Sequence, residues 1–469
     1  MEKKKRLLLN TIIIGVGKFS GQIIVFLMLP LYTSHLSTAE YGTYDSLIAI
    51  ATFLTPFITM LFEESMFRYL IEYRNSEKKS KIISNTLIFC ILNLICFCLI
   101  YFIFCSFINF EYKGYFIIYI IFNVLYSISN AIARGLGKIK EYSISNFIAN
   151  VLTVIFNLIS ILILKLGVPG LFISYSFGIF FAIMFVAIKL NIKSYFSIKN
   201  IDRKLFWNMF KYSLPLVPNS ISWSIINVSD RVMLTHMCSS SLNGIYSVAN
   251  KFPQAMGSVY NFFSIAWKES ASIELGDNKY YTEIFEKIIK LLLIIATLIL
   301  LFLPWVYRIF VGDSFLDSFY YVPILLIAMV FSNISEFYSG ILIAYKNTKL
   351  IGITTICSAI INIIINLVLM RKYGILAASI STLISTTFIC IIRKNIIKKY
   401  VEMNTRYFKI CIYFCLLLVS IGTYYLDNCL VRIIIDIVYC VVLIFLNKTF
   451  VRNCVDFIKK KEMKKNEQR

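Results

Sequence analysis

Ionisable residues inside apolar stretches of membrane-spanning length are the positions at which this sequence could do chemistry. Three of them are basic (Lys18, Arg231 and Lys251) and two are acidic (Asp230 and Glu336). A charge at membrane depth costs about 2.5–3.5 kcal/mol on insertion scales if it faces lipid, so each should face a cavity or a partner. The basic side chains suit a phosphorylated ligand, because Arg offers a bidentate fork to phosphate and Lys a mobile point charge.

The same residues also have structural interpretations. Lys18 and Lys251 are long enough to snorkel to an interface, and Asp230 could be a fixed partner of Lys251. Neighbouring residues on a helix are rotated by about 100°, so Asp230 and Arg231 should not pair side by side. Asp230 and Glu336 are also candidates for coupling transport to H⁺ or Na⁺. Glu336 is equally compatible with a role as an interhelix hydrogen-bond partner.

Polar residues recur at helical spacing in several spans. In the seventh span, Asn219, Asn227 and Asp230 follow such a stripe, which predicts that this face lines the cavity. The fifth and eleventh spans carry matching stripes, for which we favour helix packing: Asn146, Asn150, Thr153 and Asn157, and Thr355, Ser358, Asn362 and Asn366.

Charged residues also flank the inner mouth of the second span. They are Glu63, Glu64 and Arg68. We interpret them as charges at the membrane interface, with an inner gate as the alternative. Their position near the end of the apolar run is compatible with both roles.

The elements that must position these residues are membrane helices. Of 469 residues, 59% are hydrophobic and 15% charged, whereas a soluble domain is usually about 25% charged. Apolar runs of spanning length number about fourteen. The composition therefore predicts an all-α polytopic membrane protein. It excludes a disordered chain, a disulfide-rich secreted domain and a soluble α/β enzyme.

The basic excess follows the predicted topology. The chain has 47 Lys and Arg against 25 Asp and Glu, and most of the basic residues lie in alternate connections and at both ends. Such an excess marks the cytoplasmic side, so both termini are predicted to be cytoplasmic in a multi-pass protein of the bacterial inner membrane. This distribution favours contact with membrane lipids and argues against a nucleic-acid partner.

Signatures of catalysis are missing from the sequence. There are 12 Cys and only 2 His, with no paired CxxC spacing, which argues against a metal site. No nucleotide-binding or nucleophile-elbow motif is present. We therefore predict no enzymatic activity and no cofactor other than an H⁺ or Na⁺ gradient.

The order of the spans predicts a repeat. A lobe over 1–190 is followed by a basic amphipathic linker over 191–211, a second lobe over 212–400, two further helices over 401–447 and a basic tail over 448–469. Similar Gly-x-Tyr turns support the repeat, with Gly42 and Tyr44 after the first span and Gly244 and Tyr246 after the seventh. Repeats of equal membrane orientation enclose a cavity at their interface.

Two segments resemble bacterial polysaccharide repeat-unit flippases of the multidrug/oligosaccharidyl-lipid/polysaccharide exporter superfamily. One runs from Leu29-Pro30-Leu31-Tyr32-Thr33 to Glu40-Tyr41-Gly42-Thr43-Tyr44-Asp45. The other runs from Ser229-Asp230-Arg231 through Gly244-Ile245-Tyr246 to Ala266-Trp267. The resemblance implies two six-helix lobes in a V and two peripheral helices. It also implies alternating access and export of an undecaprenyl-diphosphate-linked oligosaccharide for O-antigen, capsule or exopolysaccharide assembly, beside a polymerase and glycosyltransferases.

Other functions stay open at this point. A multidrug or cation antiporter of the same superfamily would need an anionic cavity, whereas basic residues prevail here. A lipid II flippase would share the expected cationic cavity. A membrane polysaccharide polymerase or acyltransferase would need catalytic residues at one face, often on a sizeable outer loop, and the predicted outer loops are short.

Overall fold

The computed structural model is all-helical over the residues it describes, which are 27–73, 76–108, 110–197, 200–405, 407–426 and 429–446. A π-helical turn over Ile159–Ile163 follows α6, and a 3₁₀ helix over Asp313–Tyr321 precedes α13. In chain order the α-helices are α1 (Leu29–His35), α2 (Thr38–Thr59), α3 (Phe62–Glu72), α4 (Lys78–Phe107), α5 (Lys113–Gly135), α6 (Ile139–Leu158), α7 (Val168–Lys189), α8 (Ile192–Tyr195), α9 (Arg203–Ser213), α10 (Leu216–Met237), α11 (Ser240–Ile273), α12 (Asn278–Phe310), α13 (Val322–Ala344), α14 (Thr348–Tyr373), α15 (Ile375–Ile397), α16 (Tyr407–Tyr424) and α17 (Cys429–Leu446).

Several of these helices are long and apolar enough to cross a membrane. Among the described residues 8 helices meet this condition, or 9 if α2 and α3, which meet at an angle of 56°, form one bent span. About 20 residues of helix cross the hydrocarbon core. The predicted fold class, an all-α polytopic membrane protein, is confirmed.

The chain forms two compact units. The first comprises Met1–Gly276 and Ile309–Val401, and the second comprises Asp277–Arg308 and Glu402–Arg469. Within the second unit, Trp305 Nε1 donates a hydrogen bond of 3.1 Å to Asp436 Oδ2. The predicted lobe boundaries at 190, 211, 400 and 447 remain predictions.

The predicted linker over 191–211 contains α8 and most of α9. Asp202 caps α9, because its side chain accepts a hydrogen bond of 3.1 Å from the Leu205 amide. Lys81 Nζ lies 3.3 Å from Asp202 Oδ2 and ties the cap to α4. The Leu205 hydrogen bond, with a smaller contribution from Lys81, lowers the pKa of the Asp202 carboxyl. The linker is therefore tied to α4 by a charged helix cap.

Candidate functional site

A cavity of about 1160 Å³ lies in the first unit, between α10, α11, α13 and α14. On the predicted topology it occupies the inner half of these helices. Polar and charged side chains are frequent among its lining residues, which include Ser222, Gln254, Ser258, Asn261, Lys268, Ser332, Asn333, Glu336, Ser339, Thr348 and Lys349. The cavity offers both cations and neutral hydrogen-bonding groups to a ligand.

An ion pair lies on the cavity wall. Lys268 Nζ of α11 is 2.6 Å from Glu336 Oε1 of α13, and the two side chains are 38% and 22% exposed. Glu336 was singled out from the sequence, whereas Lys268 was not, because it follows the apolar part of its span. Lys349 of α14 adds a second cation to the lining. With one carboxylate against two ammonium groups, the lining carries a net positive charge.

The crossing of α11 and α13 positions this ion pair. Trp267 Nε1 donates a hydrogen bond of 2.9 Å to the Phe337 carbonyl, and the two rings stack with centroids 4.2 Å apart. A Cβ on Gly340 would lie 2.5 Å from the Trp267 ring, so glycine is needed for this close approach. Lys268 and Glu336 each neighbour a residue of this contact along the chain, which holds them opposite each other.

A third cation is buried behind the cavity wall. Arg393 of α15 is 0% exposed, and among the described residues no carboxylate lies within ion-pair distance of it. Its donors bind only neutral oxygens: Thr354 Oγ1 at 3.0 Å, Ser335 Oγ at 3.0 Å, Ser339 Oγ at 2.6 Å, Thr355 Oγ1 at 2.8 Å and the Ile351 carbonyl at 3.2 Å. Ser339 and Ile351 also line the cavity. The charge of Arg393 therefore adds to the positive potential of this wall.

Arg393 was missed in the sequence because it lies near the inner end of its span, among other basic residues. The hydroxyls that bind it belong to two other helices, α13 and α14. Thr355 is one of them, and it was assigned from its stripe to helix packing. The sequence does contain hydroxyl residues one helical turn apart on α13, Ser335 and Ser339, as well as the stripe with Thr355 on α14. That these two sets of hydroxyls face the same arginine depends on how the helices pack.

Asp230 is buried in a shell of neutral donors. The described residues place no cation within ion-pair distance of it, so a pairing with Lys251 is not seen. Its carboxylate accepts hydrogen bonds from Tyr246 Oη at 2.8 Å, Thr382 Oγ1 at 2.5 Å, Asn366 Nδ2 at 2.5 Å and Asn362 Nδ2 at 3.2 Å. The Asn362–Asn366 stripe thus meets the seventh-span carboxylate as well as packing α14 against α15.

Arg231 points to a different helix from Asp230, as the rotation between neighbouring residues requires. Arg231 Nη1 lies 3.2 Å from Asp45 Oδ1 of α2, with the side chains 17% and 7% exposed. Lys251 Nζ lies 6.0 Å from the centre of the Tyr41 ring, also on α2. Neither Arg231 nor Lys251 is among the residues that line the cavity. Their role in holding a substrate remains a prediction.

The two Gly-x-Tyr segments, which were predicted as turns, lie near the starts of the helices α2 and α11 and pack against each other. Asn243 Nδ2 of α11 donates a hydrogen bond of 2.7 Å to the Gly42 carbonyl of α2. A Cβ on Gly42 would collide with the Ser240 carbonyl oxygen, and a Cβ on Gly244 with the Thr38 carbonyl oxygen. We call this contact, together with the Asp45–Arg231 ion pair, the outer seam. It joins the two repeats at the predicted outer end, opposite the cavity.

The other predicted site residues are separated. Glu63 is buried, whereas Glu64 and Arg68 are exposed, so the structure divides the predicted inner-gate group. Lys18 lies outside the described residues, and the side chains of Asn219 and Asn227 are likewise outside what the structure describes.

The solved structures that share this fold are transport proteins. The lipid II flippase MurJ in an inward closed conformation matches with a TM-score of 0.70 and 19% identity, over 95% of this chain and 100% of that chain. An inward-facing multidrug resistance transporter of the MATE family matches with a TM-score of 0.61 and 15% identity, over 82% of this chain and 98% of that chain. These likenesses establish the fold.

Sequence comparison gives the family. The family described as "Polysaccharide biosynthesis protein" matches residues 7–267, and the MatE family matches residues 215–368. The first match covers more than half of the chain, which therefore belongs to the polysaccharide biosynthesis protein family. An uncharacterised membrane protein of Methanocaldococcus jannaschii is 24% identical over 76% of this chain and 89% of its own length.

Proposed function

We propose that this protein moves polyprenyl-diphosphate-linked oligosaccharide repeat units from the inner to the outer leaflet of the bacterial cytoplasmic membrane, for surface polysaccharide assembly. The observation that carries the proposal is the Lys268–Glu336 ion pair on the wall of a net positive cavity. Membership of the polysaccharide biosynthesis family supports the glycan part. Both termini would lie in the cytoplasm, and glycosyltransferases and a polymerase would act before and after transport.

The diphosphate would bind by competing for Lys268. Phosphate oxygens accept strong charge-assisted hydrogen bonds, so a diphosphate can replace Glu336 as the acceptor from the Lys268 ammonium. Lys349 offers a second ammonium, and Arg393 adds charge from behind the wall. The amide and hydroxyl groups of the lining suit sugar hydroxyls, and the lipid tail would stay in the bilayer. Recognition needs no covalent step, in keeping with a transporter rather than an enzyme.

Alternating access would follow from a difference between the two ends of the first unit, one closed and the other holding the cavity. In this state the outer seam joins α2 to α10 and α11, while the cavity lies toward the predicted inner side. Export would require the seam to separate. Separation would release Arg231 from Asp45 and Lys251 from Tyr41, so that these cations could contact the diphosphate in the outward-facing state.

Two sources of energy suit this transport. Moving a negative charge outward across an inside-negative potential is favourable by about 2.3 kcal/mol per 100 mV. Binding of H⁺ or Na⁺ at the buried Asp230 carboxylate is a further source. The Asn362 and Asn366 side chains that donate to this carboxylate also carry amide oxygens, which a hard cation would bind if the amides turned. Glu336 is the second candidate for coupling. Asp230→Asn and Glu336→Gln should each reduce the rate or its pH dependence, and unchanged behaviour of both variants would end the coupling hypothesis.

A lipid II flippase is the second candidate function. The likeness to the MurJ structure over nearly the whole chain favours it, and its substrate shares the polyprenyl-diphosphate group. A multidrug or cation antiporter is less well supported, because the cavity lining has more ammonium groups than carboxylates. A polymerase or acyltransferase would form a new glycosidic or ester bond, which product analysis would detect.

The proposal is tested in proteoliposomes that contain the purified protein and a fluorescent polyprenyl-diphosphate oligosaccharide, with quenching of the outer leaflet as the readout. Lys268→Gln should slow flipping by about tenfold or more, since a charge-assisted hydrogen bond contributes about 1.5–3 kcal/mol. Lys140→Gln, an exposed lysine of α6 at the predicted inner surface, is the matched control and should flip normally. Fluorescent lipid II and a cationic dye replace the probe in parallel. Transport of the dye alone, unaffected by Lys268→Gln, would overturn the proposal.

A further inference from the structure

The second predicted span is broken near its inner end. α2 ends at Thr59 and α3 begins at Phe62, and the two helices meet at 56°. Met60 and Leu61 at the break both have φ of 51°, a left-handed conformation that non-glycine residues adopt only at a cost. The break interrupts the backbone hydrogen bonds between the two helices. The Ile58 carbonyl at the end of α2 accepts a hydrogen bond of 3.2 Å from Asn93 Nδ2 of α4.

A buried carboxylate lies at this break. Glu63, in the first turn of α3, is 6% exposed. Its Oε1 accepts hydrogen bonds from Thr59 Oγ1 at 3.2 Å and Ser127 Oγ at 3.5 Å. Its Oε2 is buried and has no hydrogen-bond partner among the described residues. A buried carboxylate oxygen without a donor is unfavourable unless a cation neutralises it.

The surrounding helices supply no such cation within the described residues. α4 contributes the Cys90 thiol, and the neighbouring carboxylate is the exposed Glu64. The nearby guanidinium on α5, that of Arg134, lies over the Phe67 ring at 4.3 Å and forms no ion pair with Glu63. From α9 the contact with this turn is a backbone one, the Met209 carbonyl, which accepts a hydrogen bond of 2.9 Å from Ser65 Oγ.

Oxygen atoms rather than positive charges surround the carboxylate. Besides Thr59 and Ser127, α5 carries Asn130 one turn further along the same face as Ser127. The Asn130 Oδ1 atom is also buried, and the part of the chain that the structure describes gives it no hydrogen-bond partner. In broken membrane helices, free carbonyls and half-helix ends commonly bind H⁺ or Na⁺.

We propose that the α2–α3 break is a binding site for a monovalent cation, H⁺ or Na⁺, with Glu63 as its charged ligand and Thr59 and Ser127 beside it. The site lies in the first repeat and is separate from Asp230, which lies in the second. α2 connects this site to the outer seam, since Gly42 and Asp45 are on the same helix. Cation binding at the break would therefore change the bend of the helix that closes the predicted outer end.

The Na⁺ arm of the test measures binding of radioactive Na⁺ to the purified full-length protein in detergent, without any glycan. Asp230→Asn removes the other candidate cation site, and binding should persist in this variant. Adding Glu63→Gln should abolish the remaining binding, whereas adding Glu64→Gln, the adjacent exposed carboxylate, should leave it unchanged. Because no substrate is present, the result is independent of whether the glycan proposal is correct.

The H⁺ arm uses infrared difference spectroscopy between acidic and neutral pH on the same variants. A protonated-carboxyl band that is lost in Glu63→Gln and kept in Glu64→Gln assigns the cation as a proton. If Glu63→Gln does not fold, Thr59→Ala and Ser127→Ala retain the carboxylate, and each should weaken Na⁺ binding or shift the band. If neither Na⁺ binding nor a carboxyl band depends on Glu63, Thr59 or Ser127, the proposal is overturned.

Discussion

Arg231 of α10 and Asp45 of α2 form an ion pair of 3.2 Å across 186 positions of sequence. It joins the two predicted repeats beside the contact between Gly42 and Gly244. Removing one partner of a largely buried pair leaves an uncompensated charge, which costs about 3–5 kcal/mol. The pair is therefore an important restraint on separation of the outer seam.

Breaking this pair should open the outer seam. We expect Arg231→Gln or Asp45→Asn to lengthen the distance between spin labels at the exposed positions Ala39 of α2 and His236 of α10, measured by double electron–electron resonance. The double variant Asp45→Arg with Arg231→Asp should partly restore the short distance. Unchanged distances in both single variants would show that the pair does not hold the seam.

The Gly42–Gly244 contact predicts a steric effect. Gly42→Ala or Gly244→Ala places a Cβ against the backbone of the opposite helix and should destabilise this state by about 1–3 kcal/mol. Gly114→Ala on α5 is the control, since a Cβ there has no neighbour within 4 Å. In a helix it should be neutral or stabilising by up to about 1 kcal/mol. Thermal unfolding midpoints in detergent measure the stability of each variant. Equal midpoints for Gly42→Ala, Gly244→Ala and Gly114→Ala would contradict the packing argument.

The surroundings of Arg393 predict that its conservative replacement by Lys is less stable than its replacement by Met. Arg393→Lys keeps a buried charge but loses the planar fork that reaches α13 and α14, so the ammonium is left with fewer partners. Arg393→Met removes the charge, and Thr354, Thr355 and Ser339 retain hydrogen bonds to their own helix carbonyls. We expect the lysine variant to unfold at the lower temperature. If Arg393→Met instead unfolds at the lower temperature, the positive charge, rather than the geometry of the guanidinium hydrogen bonds, stabilises the wall.

Asp202 predicts a pH effect at the α9 cap. Its pKa is lowered in the folded protein, so the stabilisation is present above the unfolded pKa of about 3.9. It is lost as the pH falls through the lower folded value. A spin label at position 204 should become more mobile over that acidic range.

Two variants distinguish the contribution of the Asp202 capping hydrogen bond from that of its negative charge. Asp202→Asn keeps a capping oxygen and should remove the pH dependence, whereas Asp202→Ala should destabilise the cap at all pH values by about 1 kcal/mol. An acid transition that persists in Asp202→Asn would assign the effect to another group.

The fold class and the membrane character could be predicted from the sequence alone, whereas the internal repeat stays a prediction. Apolar length and the distribution of Lys and Arg are local properties, and they need no knowledge of packing. The similarity of the two Gly-x-Tyr segments can also be recognised from the sequence. Their significance as a helix contact became clear only when Gly42 and Gly244 were found against each other.

Which charges form pairs depends on the tertiary structure. Lys268 pairs with Glu336, Arg231 with Asp45, and Asp230 with neutral donors, because helices distant in sequence pack side by side. One-dimensional patterns assign a residue to a helix face but not to a partner, since the partner depends on the rotation and crossing of two helices. The burial of Arg393 and Glu63 has the same origin: both lie near span ends, where the sequence suggests water, and neighbouring helices cover them.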